Sequence, residues 1–174
     1  LNPRQQVGEC IAEGPVIHGT PYRQAFESAL KLLDAVGLSP DVAKRYPHEF
    51  SGGQRQRICI ARALALSPDI LVADEAVSAL DVSIQSQILE LLKDLQKRFG
   101  FAMIFITHDL RIASSLCDQI LVMQHGRAVE CGETTKIFEN PGAEYTRALL
   151  DALPGRHDHF AVSAANSATE EGAV

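Results

Sequence analysis

The stretch from Phe50 to Asp81 constrains the fold of this chain most, because it joins two local structures that can each handle phosphate. Its first part opens a helix: Ser51 stands where an N-cap is expected, Gly52 and Gly53 follow, and apolar residues then recur at helical spacing. Glycines carry no side chain, so an anion can approach the N–H groups of the first turn, where the helix dipole favours negative charge. The pattern predicts an anion cradle, although an ordinary capped surface helix begins in the same way.

The second part of the stretch has the pattern of a buried strand that ends in two carboxylates. Residues Ile70–Ala73 form a short apolar run typical of a parallel strand buried on both faces, and Asp74 and Glu75 follow at its carboxyl end. Ligand sites of open α/β sheets lie at that end. One carboxylate there can hold Mg²⁺, and the next can orient or deprotonate a water that attacks a γ-phosphate.

Further motifs follow in a fixed order. Ser78–Asp81 comes soon after the acidic pair, and His108 follows a second strand-like run, Ala102–Ile106. Between the two runs, Val82–Phe99 carries an amphipathic stripe that predicts a crossover helix between parallel strands. The crossover would place His108 and Glu75 at neighbouring carboxyl ends of one sheet.

Together these motifs resemble the ATP-binding subunits of ABC transporters. The likeness is carried by a signature loop at Ser51–Gln54, a Walker B strand at Leu71–Glu75, a D-loop at Ser78–Asp81 and a switch histidine at His108. The branch resembled energises dipeptide and oligopeptide (peptide/nickel) uptake, through the segments RYPHEFSGGQRQR, SALDVS and IFENPGAEYTRALL. The resemblance covers roughly residues 1–155.

The resemblance implies which residues form the site. Glu75 and His108 are the implied catalytic residues, and Asp74 is the implied Mg²⁺ ligand. The implied nucleotide-binding residues are Ser51, Gly52, Gly53, Gln54, Asp74 and Asp81. ATP and Mg²⁺ are the implied cofactors.

The resemblance also implies partners and a location. A second ABC ATPase subunit would hold ATP on its own P-loop while this chain presents its cradle to that nucleotide. Transmembrane permease subunits would bind the pair at the cytoplasmic face of the inner membrane, and a periplasmic or extracellular solute-binding protein would act indirectly. Nucleic acid is not an expected partner.

A P-loop motif, GxxxxGK[ST], is absent from the sequence, because none of its five lysines follows a glycine. In the resembled family that loop lies upstream, as does the glutamine loop, and the opening residues Leu1–Arg4 resemble the segment just after that glutamine. We therefore expect the carboxyl-terminal part of a longer ATPase, or of a two-ATPase fusion. The isolated chain should hydrolyse ATP negligibly.

Composition narrows the class of protein. A formal net charge of −6 argues against nucleic acid or an anionic membrane as the main partner. No apolar run approaches the roughly 20 residues that span a bilayer, and no signal peptide opens the chain. The four cysteines lie far apart without a CxxC pair, which disfavours a disulfide or zinc site; Cys59 and Cys117 are expected to be buried in helices.

The predicted fold class is α/β: a partial P-loop NTPase core of the ABC type, with a mostly parallel sheet and an α-helical subdomain. Four segments are predicted, namely a helical subdomain with the signature (1–66), half of the catalytic core (67–133), a C-terminal extension of the oligopeptide-transporter type (134–155) and a disordered tail (156–174).

Local sequence patterns predict further helices and strands. A helix capped by Thr20 is predicted to run to Gly37, whereas Val7–Ile17 reads as a mildly apolar segment interrupted by glycines and a proline. Gln119–Gln124 and Arg127–Cys131 predict a hairpin.

Two other function classes stay open. One is an ABC-type ATPase of repair or translation, although the long heptad arms or basic inserts typical of such proteins are missing from the sequence. The other is a non-catalytic docking or regulatory module that keeps the fold without the P-loop.

Overall fold

A computed structural model describes residues 1–153, and the tail predicted to be disordered, 156–174, lies outside the described residues. The chain divides into two compact units, residues 1–108 and the residues from 109 onward. Both units combine helices with strands, in agreement with the predicted α/β class. The division into four segments stays a prediction.

The first unit is built from four helices, two short 3₁₀ turns and two strands. In chain order they are α1 (Val7–Ile17), α2 (Tyr22–Ala35), the 3₁₀ turns Pro40–Lys44 and Pro47–Glu49, α3 (Gly52–Leu64), β1 (Ile70–Asp74), α4 (Val82–Phe99) and β2 (Ala102–Ile106). The predicted crossover helix and both predicted strands are confirmed. Helix α2 begins after Pro21, so the prediction that Thr20 caps it is wrong.

Helix α1 is continuous, although its glycines and proline suggested an interrupted segment. The glycines allow close packing: a Cβ on Gly8 would lie 2.7 Å from the Phe26 ring, and one on Gly14 would lie 3.2 Å from Leu66. Pro15 falls within the last turn of the helix and removes the hydrogen bond that an N–H at this position would donate to the Ile11 carbonyl. The side chains that α1, α2 and α3 bury together include Val7, Ile11, Leu33, Val36, Ile58 and Ala61.

Strands β1 and β2 pair in parallel, with the register running from Ile70 opposite Ala102 to Asp74 opposite Ile106. Helix α4 makes the crossover between them and buries Ile88, Leu92 and Leu95. This pairing brings the residues that follow both strands to the same edge of the sheet.

One face of this two-stranded sheet is uncovered in the described part of the chain. Ile70 and Val72 are each 57% exposed, and Ile104 and Ile106 of β2 lie on the same face and are also exposed. The expectation that β1 is buried on both faces is therefore wrong. An apolar sequence shows that both faces of a strand can be buried. It does not show that other elements cover both faces.

The second unit is organised around an antiparallel hairpin. Its elements are α5 (Leu110–Leu116), β3 (Gln119–Gln124), β4 (Arg127–Glu133), α6 (Thr134–Glu139) and α7 (Glu144–Asp151). The predicted hairpin is confirmed, and its turn residues His125 and Gly126 both have positive φ, at 50° and 75°. A turn with two left-handed residues is the type I′ that matches the twist of a two-residue hairpin. The parallel pair of the first unit and this antiparallel pair are the two sheets of the described chain.

The carboxylate of Glu130 on β4 fastens the start of α7. It accepts hydrogen bonds from the backbone N–H groups of Gly142, at 2.6 Å, and Ala143, at 3.1 Å. The Thr146 side chain and these amides hold the pKa of the Glu130 carboxyl below its usual range. Of these groups the two amides make the well-formed hydrogen bonds, since Oγ1 of Thr146 is buried without a full hydrogen bond. Because the folded state favours the ionised form, this bond set stabilises the unit above the unfolded-state pKa, about 4.3, and the stabilisation is lost as the pH falls through the folded-state pKa.

Replacing Glu130 with Gln should lower the free energy of unfolding of the second unit at neutral pH. The glutamine amide is neutral and has one acceptor oxygen, so it cannot replace the two charged oxygens that accept these bonds. It should also flatten the fall in stability on acidification. Urea unfolding followed by amide exchange in the β3–β4 ladder between pH 7 and pH 3 measures both effects. Glu139→Gln, at an exposed position of α6, is the matched control. Equal pH profiles for the parent chain and Glu130→Gln would contradict the assignment.

Candidate active site

The start of helix α3 is closed by a reciprocal cap. The Ser51 hydroxyl accepts a hydrogen bond from the Gln54 N–H at 3.3 Å, and the Ser51 N–H donates to the Gln54 side-chain oxygen at 3.0 Å. Both residues are exposed. The predicted cap is confirmed, and the helix begins at Gly52 with its first-turn N–H groups directed out of the helix.

The two glycines of this helix start have different surroundings. A Cβ on Gly53 would lie 2.7 Å from Cγ2 of Ile84, in the first turn of α4, which is closer than side-chain carbons approach one another. A Cβ on Gly52 would lie 3.5 Å from Leu80, an ordinary contact. Packing against α4 therefore requires glycine at position 53, in addition to any requirement for anion approach.

The acidic pair lies where β1 ends. Asp74 is the last residue of the strand, and the N–H of Glu75 continues the ladder by donating to the Ile106 carbonyl at 2.9 Å. Glu75 has φ of +45°, a left-handed conformation that is uncommon for a residue with a Cβ. Its carbonyl accepts from both the backbone N–H and the hydroxyl of Ser78. The chain therefore turns sharply at Glu75 and leaves its carboxylate at the sheet edge.

His108 meets Glu75 at this edge. Its Nδ1 lies 2.9 Å from Oε1 of Glu75, and both side chains are at least half exposed. The hydrogen bond and the charge of His108 lower the pKa of the Glu75 carboxyl, so it is ionised at neutral pH. The structure thus brings together the two residues that the sequence placed at neighbouring strand ends.

A cleft of about 530 Å³ separates the helix start from the acidic edge. Its wall on α3 includes Gly52 and Arg55, and its wall at β1 includes Asp74 and Glu75. Cys59 also lines the cleft and is exposed, so the expectation that this thiol is buried is wrong; it lies on the polar side of α3.

Asp81 has a local structural partner. Its carboxylate accepts from the Ile84 N–H at 3.0 Å and so caps helix α4. The capping role was not predicted, although an Asp directly before an apolar helix is the usual sequence signal for it. A second unpredicted contact is the hydrogen bond from Gln85 to the Val77 carbonyl, for which the sequence holds no signal.

The donor set at the sheet edge suits a magnesium ion that keeps most of its water. Mg²⁺ binds hard oxygen ligands and is commonly held by one or two carboxylates together with water and phosphate. Asp74 supplies one exposed carboxylate. Across residues 1–153 no group of three or more His, Cys, Asp or Glu side chains forms a complete metal cage.

No helix within the described residues is both long and apolar enough to cross a membrane.

Comparison with known proteins supports the resemblance. Residues 1–78 match the family model described as ABC transporter. The glutathione import ATP-binding proteins GsiA of Escherichia coli O157:H7 and of Shigella boydii serotype 4 (strain Sb227) are each 54% identical over 155 residues, which is 88% of this chain and 25% of the relative. A solved structure of a metal-chelate type ABC transporter in an inward-facing conformation matches with a TM-score of 0.73 and 30% identity, over 86% of this chain and 59% of that one.

The fold and these matches show what the chain resembles: residues 1–78 match the ABC transporter family model, and the predicted resemblance and fold class are confirmed. Over most of its length it is similar to proteins named as import ATP-binding proteins. The chain spans about a quarter of the length of the curated relatives that it matches.

Replacing Gly53 with Ala should destabilise the first unit by roughly 1–3 kcal/mol, the usual cost of forcing an extra carbon into a packed contact. The cause would be the 2.7 Å approach to Ile84, so Gly53→Ala should cost little further stability when it is made in the Ile84→Ala background. Gly52→Ala is the matched control, because its added carbon meets only an ordinary contact. Chemical denaturation of the four variants measures their free energies of unfolding. Equal stability of Gly53→Ala and Gly52→Ala would contradict the prediction.

Proposed function

We propose that this chain is part of an ATP-hydrolysing subunit that energises ABC-type import of peptides. The observation that carries the proposal is the pairing of Glu75 with His108 at the carboxyl end of two parallel strands. A general base must lie within hydrogen-bond reach of the water that it activates and must be ionised. The proposal is supported by the exposure of the Glu75 carboxylate, which leaves it open to water, and by its lowered pKa, which favours the ionised form.

In this proposal the site residues divide the work of hydrolysis. Glu75 orients the attacking water and accepts its proton, while the imidazole of His108 holds that carboxylate and reaches the γ-phosphate. Asp74 would hold Mg²⁺, which would neutralise charge on the phosphates. ATP supplies the phosphoryl group that is transferred to water.

The helix start contributes the anion-binding half. Ser51, Gly52, Gly53 and Gln54 form a capped helix tip whose first-turn N–H groups favour phosphate. Because the sequence holds no P-loop motif, the β- and γ-phosphates need a Gly-rich loop from elsewhere. A second ATPase subunit packed head to tail would bring its own P-loop and nucleotide to this tip, and Asp81 would lie near the seam.

Loss of the γ-phosphate that links the two ATPase subunits would allow them to move apart. ATP bound between two subunits favours their closed arrangement, and hydrolysis removes the contact that distinguishes closed from open. Permease subunits that bind the pair at the cytoplasmic face of the inner membrane would take up this change. The similarity to glutathione import proteins supports a small peptide as the cargo, since glutathione is itself a peptide.

The purified 174-residue chain should release phosphate from ATP only at background rate, because it lacks a P-loop motif. A chimera of the Escherichia coli relative, with its matching residues replaced by those of this chain, should hydrolyse ATP and lose about 10²-fold or more of its turnover on Glu75→Gln, the usual contribution of a general base.

Glu90→Gln on the exposed side of α4 is the matched control for this experiment and should leave turnover unchanged. Robust hydrolysis by the purified chain, abolished by Glu75→Gln, would overturn the need for a second P-loop. An active chimera that is insensitive to Glu75→Gln would overturn the catalytic assignment.

A further inference from the structure

The loop after the acidic pair is made of two overlapping turns. In the first, the Ser78 N–H donates to the Glu75 carbonyl at 3.2 Å, and in the second the Leu80 N–H donates to the Val77 carbonyl at 3.1 Å. The turns share Val77 and Ser78, so a change in one is transmitted to the other. Val77 is 2% exposed, and its side chain anchors the middle of the loop.

Glu75 needs such support because its backbone is strained. A residue with a Cβ is disfavoured in the left-handed region and keeps that conformation only when its surroundings hold it. Two bonds to Ser78 and one to Ile106 act directly on the Glu75 peptide groups. These contacts orient the carboxylate toward His108.

Gln85 connects this loop to helix α4. Its side-chain N–H₂ donates to the Val77 carbonyl at 2.9 Å in a partly buried contact, across eight residues of sequence. Helix α4 is eighteen residues long and is held by three buried side chains, so it is a rigid support. The Val77 carbonyl therefore accepts two hydrogen bonds, one from within the loop and one from the helix.

We propose that Gln85 is a positioning residue for the reaction: its amide fixes the second turn to α4, and through the shared residues it holds Glu75 in the left-handed conformation. Gln85 contacts neither nucleotide nor reacting water in this scheme. The proposal depends on the role of Glu75 given under the proposed function, but the conformation it predicts can be measured without catalysis.

The test uses the full 174-residue chain and three variants. Gln85→Met keeps the length and helix propensity of the side chain but removes the donor, and Gln85→Lys restores a donor. Gln87→Met is the matched control, because Gln87 is an exposed glutamine on the same helix. Amide exchange at Ser78 and Leu80 and the intraresidue amide–Hα NOE of Glu75, which is strong only at positive φ, are the readouts.

Gln85→Met should speed exchange at both amides about three- to tenfold, the effect of losing one part-buried hydrogen bond, and should weaken the Glu75 NOE. Exchange in the β1–β2 ladder should stay at the parent rate, which separates a local effect from unfolding. Gln85→Lys should restore both readouts, and Gln87→Met should leave them unchanged.

Parent-like exchange and NOE in Gln85→Met would overturn the proposal. So would equal acceleration in Gln85→Met and Gln85→Lys, because packing rather than donation would then hold the loop. If the predicted changes occur but Glu75→Gln leaves the chimera active, the positioning effect stands and the proposed catalytic role fails.

Discussion

The parallel pairing of β1 with β2 is the interaction on which the candidate site depends. Its register places Asp74 opposite Ile106, so that Glu75 follows one strand and His108 lies two residues beyond the end of the other. The ladder also extends past the strand end, through the bond from Glu75 to Ile106. A slip of one residue in this register would turn every side chain of the slipped strand to the opposite face and would separate the carboxylate from the imidazole.

Helix α4 provides the second constraint. Its first turn contacts both sides of the candidate site: Ile84 packs against Gly53 of the helix start, and Gln85 binds the loop that follows Glu75. The helix is fixed by an Asp81 cap at one end and by its buried side chains along its length. One element therefore supports the glycine tip and the acidic loop on either side of the cleft.

Much of this arrangement could be predicted because it depends on periodicity. The stripe of Val82–Phe99 and the two apolar runs define a strand–helix–strand unit, and parallel connection then puts Glu75 beside His108 without further information. The Gln85 bond could not be predicted, because a glutamine on a helix has no preferred partner in sequence. The sequence predicted that Gly53 allows an anion to approach, but it did not predict the packing of Gly53 against Ile84. A glycine pattern does not show which neighbour approaches it. The exposure of Val72 could not be predicted from the sequence, because this exposure depends on which other elements cover the sheet.

The most direct test of the account is the pKa of the Glu75 carboxyl, followed by ¹³C NMR titration in the parent chain and in His108→Ala. The account predicts a value below that of an ordinary glutamate in the parent chain, because His108 hydrogen-bonds the ionised form, and a return toward the ordinary value in the variant. An identical titration in the two proteins would contradict it, since the carboxylate and the imidazole would then not meet at the sheet edge.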